Sequence, residues 1–328
     1  MSKLNKWDDL RMETIINSAK HEIKKAAQSL MDGHLVAFPT ETVYGLGADA
    51  TNEKAVSRIY AVKGRPTDHP LIVHISSISQ LDKWAIDVPE YAIKLAKNFW
   101  PGPLTLILNR NTIAKNFITG GQDKVGLRVP NQMTALLLLQ EFEKLGGLGV
   151  AAPSANKFGA VSPTCAEAVI DELGGVMDSK DLILDGGNCR IGIESTIVDC
   201  TQEHPRILRP GWVTKNMIEE SCDKKVSSRL ETKQIRVPGQ LEKHYTPKAK
   251  IQLGFPNEVN VGFIALSNFK TPDSVIRLAS PNDSHSYASE LYAAFRSGDA
   301  QGLSKIFVIP PEGEGIAVAI RDRLIRCV

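Results

Sequence analysis

The sequence predicts an α/β protein in two unequal parts: a large twisted mixed sheet with helices, then a small terminal α/β unit. Three observations predict it. Short apolar strand-like runs recur with helical periodicity between several of them. Two of these runs, Thr196 to Val198 and Ile207 to Leu208, lie too close together for a crossover helix, so the sheet is mixed rather than purely parallel. From about Ser221 to Lys248 apolar periodicity stops, and a second set of runs begins beyond it.

In chain order, Ile15, Ile16, Ala19, Ile23, Ala26, Ala27 and Leu30 fall at helical spacing over residues 14 to 32, and Gly33 follows as a C-cap. Leu35 to Phe38 is a short strand stopped by Pro39, and the polar, glycine-bearing stretch Thr40 to Gly47 reads as the first loop able to hold a ligand. Further strands are expected at Leu71 to Ile75, Leu104 to Leu108, Val125 to Val129, Leu148 to Ala152 and Leu182 to Leu184. Asn52 caps a helix to about Val62, and Asn131 one to about Lys144. Thr164 with Glu167 has the capping-box pattern for a helix to Leu173.

The segment after Ser221 carries Lys224, Lys225, Arg229, Lys233, Arg236, Lys243 and Lys248 among polar residues and reads as a linker. Stretched, it would reach roughly 90 Å, enough to fold back over the main unit. Beyond it, Val259 to Leu266, Ser274 to Leu278 and Lys305 to Ile309 read as strands, and Ser286 to Phe295 and Gly315 to Arg326 as helices. The expected divisions are 14–220, a linker at 221–249, and 250–328.

Composition narrows the function classes. The chain of 328 residues is longer than one hydrophobic core usually serves. With 42% hydrophobic and 23% charged residues it is neither fibrous nor disordered. No apolar run approaches a membrane span, and no apolar segment follows the first lysines, so a cytoplasmic protein is expected. The cysteines at 165, 189, 200, 222 and 327 form no Cys-x-x-Cys pair and read as reduced structural thiols. Net charge is +2, and residues 32 to 216 hold 18 Lys and Arg against 20 Asp and Glu. No basic field for stable nucleic-acid binding exists, so any anion site is local.

Gly-x-x-x-x-Gly-Lys, Gly-x-Gly-x-x-Gly and His-Glu-x-x-His are all absent. What remains is a set of short polar clusters after strands, where open α/β sheets bind ligands. Lys63 and Arg65 flank Gly64 and suit phosphates, although a cationic helix end looks the same. His74 closes a strand as either a ligand contact or a core histidine. Arg128, inside an apolar strand, requires an anion or a carboxylate. Ser154 and Asn156 follow a strand among small residues, in a binding loop or an ordinary turn. Thr164 is a helix cap or a phosphate dock. Ser195 enters a strand, Arg209 leaves one, and Tyr245 puts an aromatic ring in a featureless linker, as packing or as a flap. Cations, hydroxyls and an amide without a nucleophilic triad or metal ligands favour nucleotidyl or phosphoryl chemistry. Residues alone lead to an enzyme that binds a nucleotide and a small molecule.

At these clusters the sequence resembles the YrdC/Sua5 family. The resemblance runs from about Ala19 to Glu220 through FPTETVYGLGADA, KGRP, PLIVHI, FWPGPLTLIL, GLRVP, APSAN, SPT, ESTIVD and ILRPG. The linker PGQLEKHYTP and the terminal unit look like the long Sua5 form. The resemblance implies a YrdC-like mixed sheet with a small Rossmann-like Sua5 domain. It also implies an L-threonylcarbamoyladenylate synthase, a nucleotidyltransferase joining L-threonine, bicarbonate and ATP and releasing pyrophosphate. The product would pass to a tRNA threonylcarbamoyl transferase complex that modifies adenosine 37. Thr42, His74, Arg128, Ser154 and Ser195 would face threonine. Lys63, Arg65, His69, Asn156, Thr164, Arg209 and Tyr245 would face ATP, with Lys63 and Arg65 as the catalytic cations and Mg²⁺ held mainly by the phosphates. The family has Asn where this chain has His69, which would make that contact depend on pH. Gln240 and Lys243 stand where the family has Met and Arg. The alternative is a non-catalytic RNA-binding protein of the same fold, against which the near-neutral charge argues.

Overall fold

The computed structural model describes residues 20–227, 235–239 and 245–328. Helix α1, residues 20–31, buries Ile23, Ala26, Ala27 and Leu30 against Val36, Phe38 and Leu138. The start expected at 14–19 lies outside the described residues, as do Arg229, Lys233, Gln240, Lys243 and His244.

Strand β1 (Val36–Phe38) pairs antiparallel with β2 (Gly45–Asp49). Strand β2 corrects the expectation of a loop through Gly47. Its glycines hide a strand signal because they permit close packing: a Cβ on Gly47 would stand 2.8 Å from both Phe38 and Val150. After helix α2 (Glu53–Lys63) come β3 (Ile72–His74), β4 (Ala85–Ile86), helix α3 (Glu90–Phe99), β5 (Leu104–Arg110), the short α4 (Asn116–Thr119), β6 (Lys124–Arg128), α5 (Met133–Lys144), β7 (Val150–Ala151), α6 (Ala166–Leu173), β8 (Leu182–Ile183), β9 (Thr196–Asp199), β10 (Arg206–Arg209) and α7 (Lys215–Cys222). The sheet runs β10-β9-β5-β6-β3-β7-β2-β1-β8, with β4 added to β5. It is mixed, as expected: β3 and β6 run parallel, while β5 and β6, and β9 and β10, run antiparallel.

Asn52 caps α2 by accepting from the amides of Lys54 and Ala55. The two other caps shift by one residue. Gln132 rather than Asn131 accepts the amide of Ala135 at the start of α5, while the backbone amide of Asn131 donates to Glu41. Cys165 rather than Thr164 precedes α6, with no side-chain cap. The main core packs α2 and α3 on the sheet around Trp84, Tyr44 and Leu106, all fully buried. Each such large apolar side chain contributes about 2–3 kcal/mol on burial.

The second sheet is wholly parallel, in the order β11-β14-β12-β13, with β11 (Lys250–Leu253), β12 (Gly262–Ile264), β13 (Ile276–Ala279) and β14 (Lys305–Val308). Strand β11 is an addition to the expected elements, concealed at the end of the basic stretch. Helix α8 (Ser284–Ala300) opens on a capping box of Asp283 and Ser286, and α9 (Ile316–Ile325) closes the unit.

An apolar cluster joins the two units: Val43, Val161, Ile191 and Ile193 pack with Tyr245, Tyr292 and Leu324. The described part of the linker is anchored too. Ile235 and Val237 pack on Ile72, Ile107 and Ile197, and the Arg236 amide donates to Gln122 Oε1 at 2.8 Å. The five cysteines are free thiols. Among the described residues no helix is long and apolar enough to cross a membrane.

Candidate active site

One narrow cavity brings together Thr42, Arg65, His74, Arg128, Ser154, Ser195 and Arg209 from the predicted set, with Glu194 and Pro238 also in its walls. Lys63, His69, Asn156, Thr164 and Tyr245 stand outside its lining.

At one end, β6 delivers Arg128, which is 4% exposed. Its Nη2 lies 2.7 Å from Glu41 Oε1, and its Nε donates to the Gly102 carbonyl at 3.3 Å. The other Glu41 oxygen accepts from the Asn131 amide at 3.0 Å. The carboxylate that the sequence left open for Arg128 is therefore Glu41, and the cavity still borders the guanidinium. Beside it, Thr40 Oγ1 donates to the Val43 carbonyl at 2.6 Å and stands 2.8 Å from Thr42 Oγ1, which fixes the loop and the Thr42 hydroxyl. His74 ends β3 edge-on to Phe38 at 6.0 Å. Burial, then the Arg128 charge, pushes its pKa down to about 3, so the imidazole is neutral.

At the other end, Arg209 closes β10. Its Nε and Nη2 donate to the Ser195 carbonyl at 3.1 and 3.0 Å, Nη2 reaches Ser195 Oγ at 3.2 Å, and Nη1 reaches the Pro238 carbonyl at 3.1 Å. Ser195 Oγ also stands 2.8 Å from Thr105 Oγ1. Arg65 donates to the Pro70 carbonyl at 3.0 Å and lies 5.7 Å from the Phe158 ring centre. Burial lowers its pKa to about 10, which leaves it a cation at neutral pH.

Of the remaining predicted residues, Lys63 and Asn156 hold the loop that carries Ser154. Lys63 Nζ donates to the Ser154 carbonyl at 2.6 Å and to that of Asn156, tying helix α2 to the loop that carries Ser154. Burial, then Arg65, holds its ammonium pKa well below the usual lysine range. The Asn156 amide donates to the Lys157 and Ala160 carbonyls at 2.7 and 2.9 Å. The Thr164 carbonyl accepts from the Cys189 amide at 2.8 Å. His69 is half-buried, edge-on to Phe158 at 5.3 Å, with its pKa lowered by burial and then by Arg65. Tyr245 is buried, adopts φ of 64°, stacks on Tyr292 at 5.9 Å and lies under Arg323 at 5.3 Å. In this state it sits at the junction of the two units.

Sequence reasoning missed Glu41, Glu194 and Arg323. Both acids stand inside quoted motifs, and their signal was a carboxylate beside apolar or hydroxyl neighbours. Arg323 shares the buried face of α9 with Ile316 and Ile320, and a cation at that helical position was its signal. A larger open groove of about 1080 Å³, bordered by Glu53, Asp87, Arg110 and Lys115, holds none of the predicted residues. Among the described residues no three His, Cys, Asp or Glu side chains gather as a metal site.

This architecture has close counterparts. A family model described as "Telomere recombination", covering Sua5, YciO and YrdC proteins, matches residues 28–211. A second, "Threonylcarbamoyl-AMP synthase, C-terminal domain", matches 213–327. Threonylcarbamoyl-AMP synthase of Pyrococcus abyssi is 38% identical over 92% of this chain and 93% of that protein. The protein of the same name from Bacillus subtilis is 39% identical over 93% and 92%. The crystal structure of P. abyssi Sua5 complexed with L-threonine superposes with a TM-score of 0.82 at 37% identity, over 94% of this chain and 96% of that one.

Proposed function

The chain belongs to the Sua5/YciO/YrdC family, and from that premise we propose that it is an L-threonylcarbamoyladenylate synthase, using L-threonine, bicarbonate and ATP. The observation that carries this reading is the single cavity where the Arg128 end, rich in hydroxyls, meets the Arg65 and Arg209 end. Relatives named as synthases support an enzyme, and a relative crystallised with L-threonine supports the amino-acid end.

The threonine carboxylate would lie against Arg128, its hydroxyl beside Thr42 and Ser154 and turned toward Ser195, where the two ends meet. Glu41 cancels part of the Arg128 charge and fixes its plane, so recognition is by a held fork rather than a mobile cation. The amine would add to the carbon of bicarbonate with loss of water, giving an N-carboxylate. A neutral His74 suits this end, since an imidazolium would protonate or repel the amine. The carboxylate oxygen would then attack the α-phosphorus in line, and the bond to pyrophosphate would break. Arg65 and Arg209 would take the phosphate charge, while Lys63 and Asn156 keep the Ser154 loop in register.

Mg²⁺ would arrive on the triphosphate and share in neutralising it. The residues fit such an ion held by phosphate oxygens, because the wall carboxylate Glu194 is already engaged by Arg323 at 2.9 Å. The linker segment Ile235 to Gly239 and Tyr245 would act as the cover over the nucleotide, with Pro238 in the cavity wall. The product would be handed to a tRNA-modifying transferase in the cytoplasm.

The test is to incubate the purified protein with ATP, L-threonine and bicarbonate, measure pyrophosphate, and search by mass spectrometry for threonylcarbamoyl-AMP. The compound should form only when all three substrates are present. Pyrophosphate release that ignores threonine, or no adenylate at all, would contradict the assignment.

A further inference from the structure

Glu194 is an acid in the wall of a cavity assigned to an anionic nucleotide, and its surroundings come largely from the far end of the chain. Its Oε1 accepts from Ser162 Oγ at 2.7 Å. Its Oε2 accepts from Tyr292 Oη at 3.1 Å and Arg323 Nε at 2.9 Å, from helices α8 and α9. Arg323 is fully buried. Its Nη2 donates to the Pro210 carbonyl at 3.0 Å, next in sequence to Arg209, its Nη1 to Asp322 at 2.6 Å, and its guanidinium lies 5.3 Å from the Tyr245 ring centre.

Glu194 and Arg209 both line the cavity, but of the two arginines only Arg323 is bonded to the carboxylate. Burial raises the Glu194 pKa, but Arg323, Arg209 and the Ser162 bond outweigh it, and the net direction is down, to an ionised group. Arg209 is near enough to Glu194 for the two charges to be felt, yet its guanidinium is turned to Ser195 and Pro238. Without Arg323, a buried anion would need a partner, and Arg209 is the adjacent one.

Resting on the reaction proposed above, we propose that Arg323 is a positioning residue for it: by neutralising Glu194 and bracing Pro210, the terminal unit keeps Arg209 on Ser195 and open to a substrate phosphate. The terminal unit thereby contributes a residue to the electrostatics of a cavity built on the other sheet.

The experiment uses the full chain, with affinity for a non-hydrolysable ATP analogue, steady-state KM values and melting temperature measured together. Arg323→Met should weaken the analogue and raise KM for ATP at least about tenfold, as loss of one partner of a buried ion pair does, while KM for threonine moves less than about threefold. Glu194→Gln combined with Arg323→Met removes both charges and should return ATP affinity to within about threefold of the parent, a rescue that a merely structural role would not give. Should Arg323→Met fail to fold, Arg323→Lys takes its place, with a smaller rise in the same KM. A folded Arg323 variant with unchanged analogue affinity, or a double variant as weak as the single one, would overturn the proposal. If the parent binds the analogue and the variants change its affinity as stated but no adenylate forms, the reaction is wrong, and Arg323 still positions Arg209 for phosphate binding.

Discussion

Two buried acid–arginine pairs border one cavity, one through Arg128 and the other through Glu194, and they are built differently. Glu41 and Arg128 both come from the large-sheet unit, and each is less than 5% exposed. Glu194 and Arg323 are separated by 129 residues and come from different units. On the proposed reading, the amino-acid end would be complete within the first unit, whereas the phosphate end would be finished by the second. A charge buried beside a substrate has to be answered, and the chain answers it once locally and once from a distance.

Breaking the local pair should have the largest effect. Arg128→Ala leaves Glu41 buried without its cation, so a stability loss of about 3–5 kcal/mol is expected, together with loss of threonine binding. Denaturant unfolding and calorimetry with L-threonine check it. Arg209→Lys sharpens the comparison at the other end. The charge survives, but the fork onto Ser195 does not, so kcat/KM for ATP should fall about 100-fold, with a loss of stability of about 1–3 kcal/mol from the buried carbonyls left without donors.

Acid should separate the ends further. The His74 pKa is lowered from 6.5 to about 3 in the folded protein. Between these values the unfolded chain holds a proton that the folded one refuses, so stability falls as pH drops below 6.5, by at most about 1.4 kcal/mol per pH unit for this group. His74→Gln should flatten the decline in melting temperature between pH 6.5 and 4. An equal decline in both proteins would mean that His74 does not titrate in this way. The smallest effect belongs to a site remote from both pairs: Asn52→Ala removes the α2 cap and should cost about 1 kcal/mol with product formation unchanged.

Much of this was legible in the sequence, for physical reasons that differ by element. Strands β3, β5 and β6 announce themselves as apolar runs because they are buried on both faces. Strand β2 does not, because glycine at 47 serves close strand packing rather than β-propensity. Asn52 is a cap by its side chain, but Asn131 and Thr164 lose that role because the helices begin one residue later than the local pattern indicates, after Gln132 and Cys165. Seven cavity residues could be named from short polar clusters, which follow a strand at Thr42 and Ser154, lie in or at the edge of one at His74, Arg128, Ser195 and Arg209, and follow a helix at Arg65. Their partners could not, since Glu41 meets Arg128 and Glu194 meets Arg323 only once the sheet and the two units are assembled.

The central claim is that one cavity holds an amino acid beside a triphosphate. A crystal structure of the full chain with L-threonine and a non-hydrolysable ATP analogue tests it most directly. The account predicts the threonine carboxylate on Arg128 and the phosphates on Arg65 and Arg209, with the α-phosphorus facing the threonine nitrogen. Ligands in separate cavities, or phosphates bound away from Arg209, would contradict it.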